Sequence, residues 1–298
     1  MKIIACIDAS QYATSVVDHA AWVAFHLDAT VEVLHVIQRK AAVAARHDLS
    51  GAVGLGAKSG LMEELTRIDE AEGRLAREQG NILLQAAEER LKAAGVRSET
   101  CHRHGGIVET VIEREADADL VVIGKRGASA DFAKGHLGSK VERVVRQSVK
   151  PVLVASRTFR KIAQALIAFD GGPSARKAVS FAATSPLFDG VELHLVVAGA
   201  ETEKNRNALR WAREVLGEKC KRAEIIAGDA DDVLVADASQ SGADMVIMGA
   251  YGHSPLRTLI VGSTTTAIMR GVTLVSACRS GWRSLRKKSG SARPIARL

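Results

Sequence analysis

The sequence predicts an α/β protein built from two tandem, doubly wound domains, each a five-stranded parallel sheet of Rossmann-like type. Three observations carry this. Ala118-Asp119-Leu120-Val121-Val122-Ile123-Gly124 is repeated as Ala243-Asp244-Met245-Val246-Ile247-Met248-Gly249. Short apolar runs alternate with helix-periodic stretches twice along the chain, the pattern of βαβ units with a sheet covered on both faces. Each copy also opens on a short apolar run that stops at an aspartate, Asp8 or Asp170. The 298 residues suit two domains, each long enough to bury a core.

In the first copy, Lys2–Ile7 reads as a buried strand. Val16, Val17, Ala20, Ala21, Val23, Ala24 and Leu27 then form one helical stripe. Val31–Ile37 is the second strand. Ser50-Gly51-Ala52-Val53-Gly54-Leu55-Gly56 interrupts regular structure, so residues 40–60 are expected to be a loop. Leu61–Ala94 is strongly helical, either continuous or broken near Gly73 or Gly80. A third strand at Arg97–Arg103, a helix at Val108–Glu115, a fourth strand at Leu120–Ile123, a helix from Ser139 and a fifth strand at Val152–Ala155 complete the copy.

The second copy replays this order after a linker at Ser156–Ile162. Its strands are expected at Ala165–Phe169, around Leu193-His194 (matched to Leu34-His35), at Arg222–Ala227 and at Met245–Met248. Its helices are expected at Asn205–Leu216, at Asp232–Ser241 and from Ser263, and Ala182-Ala183 matches Ala20-Ala21. Asp8 to Gly124 is 116 residues and Asp170 to Gly249 is 79, the excess lying in an insertion at about 38–95. The domains are therefore 1–156 and 163–278, followed by a basic tail, 279–298. The apolar run after Thr273 dissolves, which leaves the last strand of the second copy without a clear signal.

Net charge is +7, but the tail from Arg279 holds seven basic residues and no acidic one. The rest has 34 of each sign. No nucleic-acid footprint is thereby expected on the folded body, and the tail is expected to be solvated and mobile. Cys6, Cys101, Cys220 and Cys278 form no CxxC and read as reduced thiols of a cytoplasmic protein. Ile3–Ile7 is too short for a signal core or a membrane span.

The chemistry lies in the glycines. Gly249 ends a strand, where a side chain would obstruct a ligand over the sheet edge. Gly252 permits a left-handed turn. Gly262-Ser263-Thr264 opens a helix whose free N–H groups, dipole and hydroxyls suit a phosphate. Asp170 would face this loop, accepting from a ribose hydroxyl or an adenine amino group, or helping to hold Mg²⁺.

The arrangement Gly249-x-x-Gly252, nine residues, Gly262-Ser263 resembles the ATP-binding signature of the universal stress protein family. The likeness runs to about Leu274, as two fused copies. It implies a five-stranded parallel fold of the adenine nucleotide α-hydrolase-like kind, ATP binding, a homodimer and a role in the stress response. It also implies that Asp170 contacts the nucleoside, that Leu195 lines the adenine pocket through its backbone, and that Gly249, Gly252, Gly262, Ser263 and Thr264 hold ribose and phosphates. The first copy offers a second, degenerate site: Asp8, Val36, Gly124, Gly127, Gly138 and Ser139. Ten residues, not nine, separate Gly127 from Gly138, which shifts the helix-terminal amides relative to the turn. Lys125 and Arg126 add positive charge there.

Cys101-His102-Arg103-His104 carries metal-ligand residue types, but strand alternation puts at most two of them on one side, and no second pair stands at a suitable spacing. No metal site is expected. His35 and His194 read as packed, hydrogen-bonded residues, and Trp22, Trp211 and Phe169 as core packing. The chain has no GxxxxGK[ST], GxSxG, HExxH or complete GxGxxG motif, and no base–nucleophile pair flanks the phosphate loop. A nucleotide-binding sensor with little or no turnover, linked to a protein partner still to be identified, is the expected function. The rivals are an interaction scaffold with vestigial sites, a slow ATP hydrolase, and tail-driven binding to an anionic partner.

Overall fold

A computed structural model describes residues 1–38, 55–127, 139–249 and 273–277. Among these, ten strands form one sheet: β1 (Lys2–Ile7), β2 (Thr30–Ile37), β3 (Ser98–His104), β4 (Leu120–Gly124), β5 (Val152–Ala155), β6 (Gln164–Ala168), β7 (Glu192–Ala198), β8 (Cys220–Ile226), β9 (Met245–Gly249) and β10 (Thr273–Ala277). The order is β3-β2-β1-β4-β5-β10-β9-β6-β7-β8. Each copy is the expected five-stranded parallel sheet, but the two sheets are continuous. Their last strands meet antiparallel, with Leu274 opposite Val154 and Ser276 opposite Val152. The segment whose apolar signal fades after Thr273 is therefore a central strand, held by β9 on one side and β5 on the other. Two ladders secure it where propensity alone would not.

The helices are α1 (Ala13–Leu27), α2 (Leu55–Ala93), α3 (Ile107–Arg114), α4 (Ser139–Gln147), α5 (Pro173–Thr184), α6 (Glu203–Leu216) and α7 (Ala230–Ser241). Strand alternation sends Ile3, Ala5 and Ile7 to one face and Ile4 and Cys6 to the other. The first face packs against α1, α2, α5 and α6, and its apolar core runs unbroken from one copy into the other. The opposite face carries α3, α4 and α7. The linker is part of this structure. The Ser15 hydroxyl donates to the Ser156 carbonyl at 2.7 Å, Phe159 meets the His19 ring edge-on, and Ile162 is buried.

The repeated Ala-Asp pair has a mechanical use. The Asp119 carboxylate accepts from the Lys2 amide at 3.0 Å, and the Asp244 carboxylate from the Ala163 and Gln164 amides at 2.9 and 3.1 Å. Each aspartate thus fixes the start of its β1–β4 or β6–β9 ladder. Two helices, α6 and α7, start from side-chain caps. Thr202 accepts from the Asn205 amide and Asp229 from the Asp231 amide. In the first copy Glu32 is 2% exposed and takes Arg114 in a two-pronged pair, with the Lys2 ammonium at 2.6 Å. Burial alone would raise its carboxyl pKa. The bonds from Arg114 and Lys2 outweigh burial and hold it below the usual carboxylate value.

Helix α2 departs most from expectation. It begins at Leu55, inside the stretch expected to be a loop, and passes Gly73 and Gly80 without a break. Residues 40–54 of that expected loop lie outside the described residues. The carboxyl end of α2 packs through Leu84, Ala87 and Leu91, and Arg90 grips Asp18 across to α1. A Cβ at Gly80 would come 2.5 Å from the His102 ring and 2.8 Å from His35 Nδ1. Glycine is what lets the helix lie this close to the strands.

Candidate functional site

Parallel crossover sheets bind ligands beyond the carboxyl ends of their strands, where the connections leave to opposite faces. Here that place falls between β1 and β4 in the first copy and between β6 and β9 in the second. Asp8 and Asp170 stand there as expected. The Asp8 carboxylate accepts from the Ser10 amide at 3.1 Å. A Cβ at Gly127 would lie 2.8 Å from Asp8 Oδ2, so the loops after β1 and β4 converge on this carboxylate.

In the second copy, Asp170 accepts from the Gly172 amide at 2.8 Å across a turn in which Gly171 has φ +74°. Only glycine takes that conformation without strain. The Arg176 guanidinium braces the turn from α5. Its Nε donates to the Gly171 carbonyl at 3.0 Å, and the group lies 4.3 Å over the Trp211 ring, which stacks on Phe169. Sequence reasoning missed Arg176. The available signal was a cation three residues into the helix that follows a Gly-Gly turn.

The strand-end glycines stand where expected but for a different reason. A Cβ at Gly249 would sit 2.6 Å from the Ala175 amide nitrogen and 2.7 Å from Ser174, both in the first turn of α5. One at Gly124 would sit 2.7 Å from the Tyr12 side chain at the entry to α1. These glycines let the helix that leaves the neighbouring strand, α1 after β1 or α5 after β6, cross the strand end, so the obstruction relieved is a helix of the protein itself.

The pairing of the copies also needs correction. Ile7 pairs with His35, which sets Asp8 level with Val36. Ala168 pairs with Val196, which sets Asp170 level with Ala198. The counterpart of Val36 is thus Ala198, three residues beyond Leu195, and His194 corresponds to Glu32 rather than His35. Three is an odd number, so the side chain changes face. Leu195 is fully buried in the α5–α6 core, while Val36 belongs to the opposite face. Counting from the aspartate, instead of matching Leu-His, would have found Ala198. Ser139 is exposed at the start of α4. Gly138, Gly252, Gly262, Ser263 and Thr264 lie outside the described residues, as do the helix expected from Ser263, Cys278 and the basic tail.

Beside the first-copy edge, His35 Nδ1 lies 3.0 Å from His102 Nε2, and His102 Nδ1 lies 3.1 Å from Asn81 Oδ1 on α2. His104 stacks parallel to His102. Burial, reinforced by His102, lowers the His35 pKa against the pull of nearby Asp8. Burial and His104 lower that of His102. Among the described residues, no three His, Cys, Asp or Glu side chains are grouped so as to hold a metal ion. Cys6 is buried, Cys101 and Cys220 are half-buried, and all three are free thiols. Among the described residues no helix is long and apolar enough to cross a membrane.

Two crossover sheets, each with an aspartate at its switch point, define a tandem α/β protein of the Rossmann-like class. The Universal stress protein family model matches residues 1–156 and 197–274. Universal stress protein Slr1230 of Synechocystis is 34% identical over 277 residues, 90% of this chain and 96% of that protein. The chain therefore belongs to the universal stress protein family. Universal stress protein Rv2005c of Mycobacterium tuberculosis is 27% identical over 54% of this chain and 62% of its own length. In fold, the chain is similar to a universal stress protein from Archaeoglobus fulgidus (TM-score 0.67, 22% identity, 93% and 96% of the two chains). It is also similar to one from Pseudomonas aeruginosa (TM-score 0.57, 17% identity, 93% and 92%).

Proposed function

We propose that this universal stress protein binds an adenine nucleotide, ATP in the first instance, at the carboxyl edge of its second copy. It acts there as a cytoplasmic stress-response sensor with little or no turnover. The observation that carries the reading is the Asp170 turn at the β6–β9 switch point, closed by the Gly172 amide and braced by Arg176. Family membership supports it independently.

In this reading the Asp170 carboxylate receives the nucleoside or a nucleotide-bound Mg²⁺. The level of Ala198 forms the wall of the adenine pocket, in place of the backbone at Leu195. Gly252, Gly262, Ser263 and Thr264 hold the phosphates. The residue types suit such a ligand: a carboxylate for hydroxyl or amino donors, and the glycine amides and two hydroxyls of a Gly-Ser-Thr sequence for phosphate. The convergence of Gly127 on Asp8 shows in the first copy how closely the two loops approach. Asp8, Val36, Gly124, Gly127, Gly138 and Ser139 form a weaker second site there.

Isothermal titration with ATP and Mg²⁺ tests the assignment. Wild type is expected to bind. Gly252→Val and Asp170→Asn are each expected to lower affinity at least about tenfold, roughly 1.4 kcal/mol, while Asp8→Asn leaves the main isotherm in place. Equal affinity in wild type and Gly252→Val, or no binding by wild type, overturns the reading.

A further inference from the structure

The carboxyl edges of the two copies differ in charge along one row of the sheet. Val36, level with Asp8, pairs in turn with Arg103. Cys6 pairs with Ile123, and two residues further on this register sets Asp8 level with Lys125. The first-copy row is therefore Arg103, Val36, Asp8 and Lys125. The same count in the second copy gives Ile226, Ala198, Asp170 and Ala250. The aspartate shares its row with two cations in one copy and with none in the other. The sequence beyond the row repeats the contrast, with Arg126 against Tyr251 and Lys140 against Thr264.

The first-copy cations also share a side. Cys6, Val36 and Ile123 face α3 and α4. Asp8 and Lys125 lie two residues beyond Cys6 and Ile123, and Arg103 is in register with Val36, so alternation puts all three on that side. Helix α4 brings Lys140 there, where its ammonium donates to Gln38 Oε1 at the end of β2. Arg103 and Lys140 are exposed, whereas Lys125 is only 7% exposed. A cation withdrawn from water attracts an anion more strongly than a solvated one. The first edge is narrower as well. Val36 stands where the second copy has Ala198, and Tyr12 lies against Gly124 where Ser174 lies against Gly249.

We propose that the first-copy edge binds a phosphate chain by its charge alone, with Arg103, Lys125 and Lys140 as the cations and no base in contact. Three strand spacings separate Arg103 from Lys125, about 14 Å between backbones. Two long side chains close that span onto several linked phosphates rather than onto one. Arginine and lysine both serve as phosphate partners. This deepens the reading of the first-copy edge, whose weaker hold on a nucleotide follows from recognising the phosphates and not the base. It does not rest on the second-copy site.

Isothermal titration of the full chain with sodium tripolyphosphate, at low salt and without Mg²⁺, tests the proposal. Tripolyphosphate is expected to bind at least about tenfold more tightly than orthophosphate, and to weaken as salt rises. Arg103→Ile and Lys140→Thr place second-copy residues at exposed positions, so folding is expected to be kept. Each is expected to lower the affinity several-fold, and Arg103→Ile/Lys140→Thr to lose one tripolyphosphate per chain. Asp170→Asn is expected to leave tripolyphosphate binding unchanged, which separates this site from the second-copy nucleotide site. Absence of tripolyphosphate binding by wild type overturns the proposal. So does a folded double variant that binds as many tripolyphosphates as tightly as wild type. ATP binding more tightly than tripolyphosphate at the component removed by the double variant also overturns it, because the base would then be read.

Discussion

Replacing Gly249 by alanine tests whether the strand-end glycine makes room for α5, the helix that leaves the neighbouring strand β6. The added Cβ would stand 2.6 Å from the Ala175 nitrogen and 2.7 Å from the Ser174 carbonyl carbon and hydroxyl. Unstrained carbon contacts lie near 3.5–4.0 Å, so the first turn of α5 must move by about 1 Å. Two of the three atoms struck are backbone and cannot rotate away. Ser174 and Ala175 are themselves buried, so the movement disturbs a packed region. Overpacking of this kind costs about 1–3 kcal/mol, against which the lower chain entropy of alanine returns about 0.4–1. The expected net loss is about 1–2 kcal/mol. Gly73→Ala in α2 is the matched control, because its Cβ would meet nothing within 4 Å. A helix-interior glycine replaced without a clash is expected to gain up to about 1 kcal/mol. Urea unfolding followed by circular dichroism measures both. The reasoning fails if Gly249→Ala is as stable as wild type while Gly73→Ala behaves normally.

Arg114→Met leaves Glu32 buried with Lys2 as its remaining cation. A loss of about 2–3 kcal/mol is expected in urea unfolding, with most of it recovered by adding Glu32→Leu. His35 and His102 have pKa values lowered from the ordinary 6.5, mainly by burial. A base held neutral in the fold stabilises it above the unfolded pKa, and that contribution is lost as pH falls below it. Wild type should therefore lose more stability between pH 7.5 and 5.5 than His102→Gln, with Asp8 softening the effect at His35. Equal losses in the two proteins refute the account.

Several features were legible in the chain because they are local. Alternating apolar runs marked β1 to β9. The Ala-Asp repeat marked the starts of β4 and β9, and the aspartate after each first strand marked the carboxyl edge of each sheet. Other features were not local. Whether the long helix breaks at Gly73 or Gly80 was left open by the sequence, because glycine lowers helix propensity. The His35–His102 surface is what makes Gly80 fit, and it comes from strands 45 and 22 residues away. The Leu-His match between the copies misled by three residues, since nothing in either segment alone reports the register with β1 or β6.

The sequence by itself determined that this protein is a duplicated crossover fold of the universal stress protein family, with an aspartate at each switch point. Periodicity, repeat and turn chemistry are properties of neighbouring residues. Only the tertiary structure decided that the two sheets fuse through β5 and β10, that Ala198 stands level with Asp170, and that the strand-end glycines make room for α1 and α5. Each of these depends on which distant backbone lies alongside, and strand pairing and helix crossing set that at once for the whole sheet.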